Sequence, residues 1–328
     1  MSAEKGYIYP LKLVPVFKTA IWGGERLKEA YGKSFDGERL AETWELSSRT
    51  REDSAMIENG EKAGVLLCDY FSDYGSVLIG KKHTGDRFPL LIKWIDARDK
   101  LSVQVHPADA YAKVNENDLG KTELWYIAEA KEGARLVYGL SDGADKKTLA
   151  EALQRGEVES VLKEIPVRAG DAVFIPAGLL HAIGEGIVIA EIQQSSDVTY
   201  RFFDYNRRDK EGNLRPLHVA KAMDVVHPFT EEEIDALRYA RATAEEKDDP
   251  SVLSVNPYFS ARTLDVDGKR ELFVGEDSFL HILCVSGEGS IRYLDEDYPF
   301  AQGDGYLLPA TLGEITVFGK ARLLLSGI

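Results

Sequence analysis

Gly170-Asp171-Ala172-Val173-Phe174-Ile175-Pro176-Ala177-Gly178-Leu179-Leu180-His181 is the stretch on which the reading of this chain turns. A glycine turn, an apolar run and a Pro-x-Gly turn deliver one histidine at a fixed offset. A small β-barrel aims an imidazole at a metal in its interior in this way. Partners lie upstream: Gln104-Val105-His106 puts a carboxamide and an imidazole on one strand face, since residues two apart point the same way. Glu123 follows in Gly120-Lys121-Thr122-Glu123-Leu124-Trp125. Together they make a candidate site for one divalent cation, and imidazoles with a carboxylate suit zinc and other borderline ions. No sulfur ligand joins the set, which argues against a purely structural zinc.

The alternation of glycine, ligand and turn resembles the half-motifs of cupin barrels, except that an irregular, polar segment separates His106 from Glu123. Four motifs together are similar to the class I mannose-6-phosphate isomerases in their short bacterial form. They are Gln104-x-His106-Pro107, Lys121-Thr122-Glu123, Pro176-Ala177-Gly178-Leu179-Leu180-His181, and Glu191-Ile192-Gln193-Gln194-Ser195-Ser196-Asp197-Val198-Thr199-Tyr200-Arg201. The resemblance runs from Trp22-Gly23-Gly24 through Glu42-Thr43-Trp44-Glu45 and Pro89-Leu90-Leu91-Ile92-Lys93 to Asp204-Tyr205. It implies a cytoplasmic enzyme with one zinc ion per chain that interconverts mannose 6-phosphate and fructose 6-phosphate. It also implies Gln104, His106, Glu123 and His181 as metal ligands; the Gln104 carbonyl, a weaker ligand, rests mainly on the resemblance.

Composition sets outer limits. The 328 residues, 44% of them apolar, can bury one large core or two, and no window reaches bilayer-spanning length. Met1-Ser2-Ala3-Glu4-Lys5-Gly6 lacks the basic start and apolar run of a secretory signal, so cytoplasm is the expected location. A net charge of −15 disfavours nucleic-acid binding. The expected partner is a small sugar phosphate, with no membrane, and the expected state a monomer or weak homodimer. Cys68 and Cys284 lack paired spacing and read as small buried hydrophobes.

The fold class expected is mainly β: two cupin-like (jelly-roll) β-barrels with a few inserted short helices. Alternating runs such as Leu11–Phe17, Leu101–His106 and Ile187–Ile192 read as strands. Lys147 to Ile165, broken by Gly156, reads as two short helices, and Thr230-Glu231-Glu232-Glu233 as a capping box opening another. The polar segment Ala242 to Pro250 reads as a linker between a catalytic metal-binding domain, residues 1–241, and a smaller barrel, residues 251–328. In that second barrel the glycine-to-proline spacing repeats, but Glu314 falls where the first has His181 and no Gln-x-His accompanies it. His281 reads as a core histidine with a satisfied hydrogen bond, and His83, His218 and His227 as isolated.

Moving a proton between adjacent carbons through an enediolate needs a base, a hydroxyl-proton shuttle, charge stabilisation and a phosphate anchor. Arg201, ahead of Phe202-Phe203-Asp204-Tyr205, matches the family's active-site arginine and can hold enediolate charge or grip phosphate; the alternative is a surface ion pair with Asp197 or Asp204. Lys121, two residues before Glu123, is either a proton carrier or the phosphate anchor. Lys93 sits in an apolar run, where it needs a buried ion pair or a place at the cavity mouth. Trp22, Lys100 and Ser102 resemble positions flanking the family's substrate cavity, with Asp197 placed among them, and the Trp22-Gly23-Gly24 turn reads as a close backbone approach to a ligand. Two other classes of function fit parts of this pattern: a noncatalytic sugar-binding paralogue and an iron-dependent cupin oxygenase.

Overall fold

The computed structural model describes residues 8–208 and 211–328; the Met1–Gly6 reading lies outside them. Pro15 explains how the chain begins to build two sheets. It lacks the amide hydrogen a ladder needs, and the run from Leu11 divides there into strands Leu11–Val14 and Val16–Lys18. The first pairs with Gly305–Leu308 and Met56–Ile57, the second with Glu42–Leu46. One short segment thereby stitches the eight-stranded sheet to the six-stranded one.

The region that carries the candidate donors is an antiparallel jelly roll. Its six-stranded sheet runs Ala172–Ile175, Glu123–Ala130, Ile187–Gln194, Leu90–Ala97, Glu42–Leu46, Val16–Lys18. Opposite it lies a five-stranded sheet, Tyr200–Phe203, Val103–Val105, His181–Ile183, Arg135–Leu140, Leu162–Pro166. Ile187–Gln194 and Leu90–Ala97 are buried at every position. One face looks into the space between the sheets, while on the other Trp94 donates to Gly303 O of the C-terminal unit at 3.2 Å. The C-terminal unit is built on an eight-stranded sheet that includes the long strands Ser260–Val274, Leu280–Tyr293 and Gly313–Gly327. The architecture is mainly β and cupin-like, and its sheets stay open at the edges rather than closing into barrels.

Several local expectations change. The segment between His106 and Glu123 carries a helix, Asp109–Asn115. Lys146–Arg155 is a helix closed by Gly156 in the left-handed conformation, but Val158–Val161 is a single 3-10 turn and Leu162–Pro166 a strand. The Thr230 capping box is present and opens Glu231–Arg238. Inside the segment read as a linker, a second capping box on Thr243 starts the helix Ala244–Asp248. Arg201 lies within the strand Tyr200–Phe203, not ahead of it. Glycines 23 and 24 serve packing, not a ligand: a Cβ on Gly23 would stand 2.9 Å from Ala41, and one on Gly24 2.3 Å from the Asp96 carboxylate. Cys284 is buried, whereas Cys68 is only half-buried. No helix among the described residues is long and apolar enough to cross a membrane.

Candidate metal centre and active site

Register places the donors. On the five-stranded sheet Arg201, Gln104, His181 and Tyr138 stand directly across from one another on successive strands, so their side chains share a face. On the six-stranded sheet a second row reads Trp125, Glu191, Lys93, Trp44. Gln193, paired with Glu123, begins the next row. His106 lies one residue past the end of its strand. Lys121 reaches it because the intervening loop folds back: Lys121 N donates to Pro107 O at 3.0 Å and Gly120 N to Asp109 Oδ1 at 2.7 Å. Gly120 has no alternative there, since a Cβ would sit 2.4 Å from Asp109 N.

His106, Glu123 and His181 bring one ligand atom each within 4.8 Å of one another, the only such group among the described residues. All three are buried. His106 Nδ1 donates to Val198 O at 2.9 Å and His181 Nδ1 to Leu179 O at 2.8 Å. A carbonyl only accepts, so each Nδ1 carries the proton and each Nε2 offers a lone pair. Those Nε2 atoms lie 3.4 and 3.8 Å from the Glu123 oxygens. Burial holds both imidazoles below their ordinary range, for His106 reinforced by Lys121. Neutral rings are what a cation requires. Apart from Lys121 Nζ at 2.5 Å, neither Glu123 oxygen has a hydrogen-bond partner. Gln104 Nε2 stands 3.5 Å from His181 Nε2, so its carboxamide borders the same space.

Around this cluster the other expected residues divide. Lys93 is buried, with Glu42 at 3.4 Å and Glu191 at 3.5 Å and its ammonium 4.9 Å from the Trp44 ring centroid. Burial pulls its pKa down, but Glu42 and then Glu191 outweigh that and raise it. Arg201 pairs with neither Asp197 nor Asp204: Nη1 donates to Pro216 O at 2.9 Å and Nε is buried without a partner. Desolvation, then Arg215, lowers its pKa. Trp22 and Ser102 are buried and Asp197 exposed. Lys100 is held at the surface by Glu159 at 3.2 Å and the Tyr205 ring at 3.5 Å rather than by any of the donors. In the C-terminal unit Glu314 is exposed, whereas His181 is fully buried.

Sequence reasoning passed over four residues here. Glu42 and Glu191 flank Lys93, and burial followed by Glu123 pushes the Glu191 carboxyl up to about 7. Arg215 and Arg207 both grip Asp204, Arg215 Nε at 2.7 Å. Burial alone would raise the Asp204 pKa, but those two arginines pull it below the usual range. Two guanidinium groups thus grip one carboxylate, and Arg201 lies close enough to feel the charge of all three. The signal available in sequence was arginine density, Arg201, Arg207, Arg208 and Arg215, against an acidic whole.

Fold and site together define a cupin-type jelly roll with a buried His/Glu/His cluster between its sheets. Residues 11–133 match the model for the phosphomannose isomerase type I catalytic domain, and residues 251–328 that for the mannose-6-phosphate isomerase cupin domain. The chain is 38% identical over 326 residues to the mannose-6-phosphate isomerase ManA of Bacillus subtilis (strain 168), covering 97% of this chain and 98% of that one. The crystal structure of the mannose 6-phosphate isomerase from Bacillus subtilis superposes with a TM-score of 0.87 at 34% identity, over 97% of this chain and 99% of that one. A mannose 6-phosphate isomerase solved with zinc and yttrium bound shares the fold, with a TM-score of 0.73 at 16% identity over 97% and 98% of the two chains. The chain belongs to the type I mannose-6-phosphate isomerases and is an enzyme of that family.

Proposed function

We propose that the chain interconverts mannose 6-phosphate and fructose 6-phosphate through an enediolate, with one zinc ion held by His106, Glu123 and His181 and, after a half-turn of its amide, by Gln104. What supports this most is the pair of imidazoles that spend Nδ1 on backbone carbonyls and turn Nε2 toward a buried carboxylate that meets Lys121 Nζ through Oε1 and whose Oε2 is without a hydrogen bond. A carboxylate buried this deeply costs several kcal/mol unless positive charge faces it. Lys121 meets one Glu123 oxygen, and the two imidazole lone pairs turned toward the carboxylate add no positive charge, which leaves room for a cation among them. The donor chemistry fits zinc, and the fold relative with zinc bound agrees. When bound, the ion supplies positive charge beside the sugar oxygens that become anionic.

The chain's own residues do the rest. Lys121 Nζ, 2.5 Å from Glu123 and 3.3 Å from His106 Nε2, is the candidate for moving hydroxyl protons. Arg201 keeps an unused Nε–H for developing charge or for phosphate oxygen. Arg207 and Arg215, fixed by Asp204, extend that positive surface toward the phosphate. Glu42 and Glu191 hold Lys93 charged, and Trp22, Ser102, Lys100 and Asp197 frame the sugar path. We assign this machinery to residues 1–241, with residues 251–328 as a second unit covering the outer face of the catalytic sheet. Turnover in D2O followed by NMR tests the enediolate: solvent deuterium should enter fructose 6-phosphate at C1. Complete retention of the substrate hydrogen over many turnovers would instead require direct hydride transfer.

A further inference from the structure

Trp125 is an unusual buried tryptophan for this chain. Trp44 Nε1 donates to Glu42 Oε2 at 2.7 Å and Trp94 Nε1 to Gly303 O at 3.2 Å, as buried indoles generally do. Trp125 is 1% exposed and its Nε1 donates to nothing. Two residues along its strand from Glu123, it shares that residue's face. Its ring meets His181 edge-on, with centroids 5.3 Å apart and an interplanar angle of 78°. Directly across the ladder stands Glu191, whose Oε1 is also buried without a hydrogen bond, with Lys93 Nζ 3.5 Å away. An unused donor and an unused acceptor thus stand side by side next to the metal donors, and each such group is costly to leave unmade.

A single group that both accepts and donates satisfies the two. A dianionic phosphate and an ionised carboxylate cannot donate, and an ammonium cannot accept; a hydroxyl does both. We propose that Trp125 and Glu191 form a hydroxyl subsite for the sugar, filled by water in the free enzyme. This deepens the isomerase reading and rests on it. The reacting oxygens belong at the metal donors and Lys121, and the phosphate belongs at Arg201. The Trp125–Glu191 row therefore meets the chain between them, at O3 or O4. Trp125 contributes the N–H and Glu191 the acceptor, so substrates lacking that hydroxyl are discriminated against by the unpaired donor they leave.

Trp125→Phe keeps a ring against His181 and removes the N–H. We would measure kcat and KM for mannose 6-phosphate and for its 3-deoxy and 4-deoxy analogues, in wild type and variant, with zinc content on the same samples. The variant should keep its zinc and lose about 10- to 100-fold in kcat/KM on mannose 6-phosphate. On one of the two deoxy analogues, wild type and variant should coincide. The subsite is overturned if the variant equals wild type on mannose 6-phosphate, if it loses equally on both analogues, or if it loses zinc, which assigns the indole to packing. A zinc-loaded wild type inactive on mannose 6-phosphate would overturn the isomerase reading instead.

Discussion

At the scale of single residues, His106 and His181 divide their two nitrogens in the same way, and that division separates holding an ion from using it. His181→Ala removes one lone pair from a buried set and leaves Glu123 facing less compensation, so metal and turnover should be lost together. Arg201 supplies no ligand atom, and its Nη1 donates to Pro216 O. Arg201→Ala should retain a full equivalent of zinc while kcat/KM falls at least 100-fold. Metal analysis beside steady-state kinetics checks both, and an Arg201→Ala enzyme of normal activity removes Arg201 from the chemistry. The sequence carried Gln104, His106, Lys121 and Glu123 as site residues, although Lys121 owes its place to the loop that folds back onto Pro107 rather than to strand spacing. It did not carry Glu191 or the Asp204 clamp. Glu191 becomes notable only when strand pairing sets it against Lys93 and Trp125, and Asp204 only when the chain returns eleven residues later with Arg215.

At the scale of elements, the turn Trp22-Gly23-Gly24 shows how a motif was legible while its purpose was not. Glycine suggested a backbone near a ligand; instead the Asp96 carboxylate fills the space where a Gly24 Cβ would lie, and Asp96 Oδ2 accepts from Arg26 N at 2.7 Å at the start of the helix Arg26–Glu29. Gly24→Ala should therefore push Asp96 off that helix and cost about 1–3 kcal/mol, read from urea unfolding. A stability equal to wild type would mean the carboxylate moves freely. Strand existence was legible from alternation, but strand ends were not. Pro15 splits one alternating run between two sheets, and Leu101–His106 yields only Val103–Val105, because ladder partners fix where pairing stops.

At the scale of the whole molecule, the C-terminal unit repeats the cupin pattern without the cluster of donors, and its buried histidine behaves differently from the expectation. His281 is fully buried and neither ring nitrogen has a hydrogen bond, so the expected satisfied partner is absent. The neighbouring Ser326 Oγ, directly across the sheet, is unpartnered as well. Burial, then Lys33, lowers the His281 pKa from 6.5 to about 3. The unfolded chain thus takes up this proton first. The residue's contribution to stability is complete above pH 6.5 and is lost as pH falls toward 3. Between pH 7 and pH 5, wild type should lose about 2 kcal/mol more than His281→Leu. Parallel stability profiles for the two would show that protonation of His281 is accommodated in the fold.

The central claim is that the His106/Glu123/His181 cluster holds the zinc on which isomerisation depends. It is tested most directly by a coupled assay of mannose 6-phosphate conversion to fructose 6-phosphate on protein as purified, after chelation and after zinc is restored, with metal content measured on each sample. Activity should vanish with the metal and return in proportion to zinc bound, up to one equivalent per chain. Undiminished turnover in metal-free protein, or none in protein carrying a full equivalent of zinc, would contradict the account.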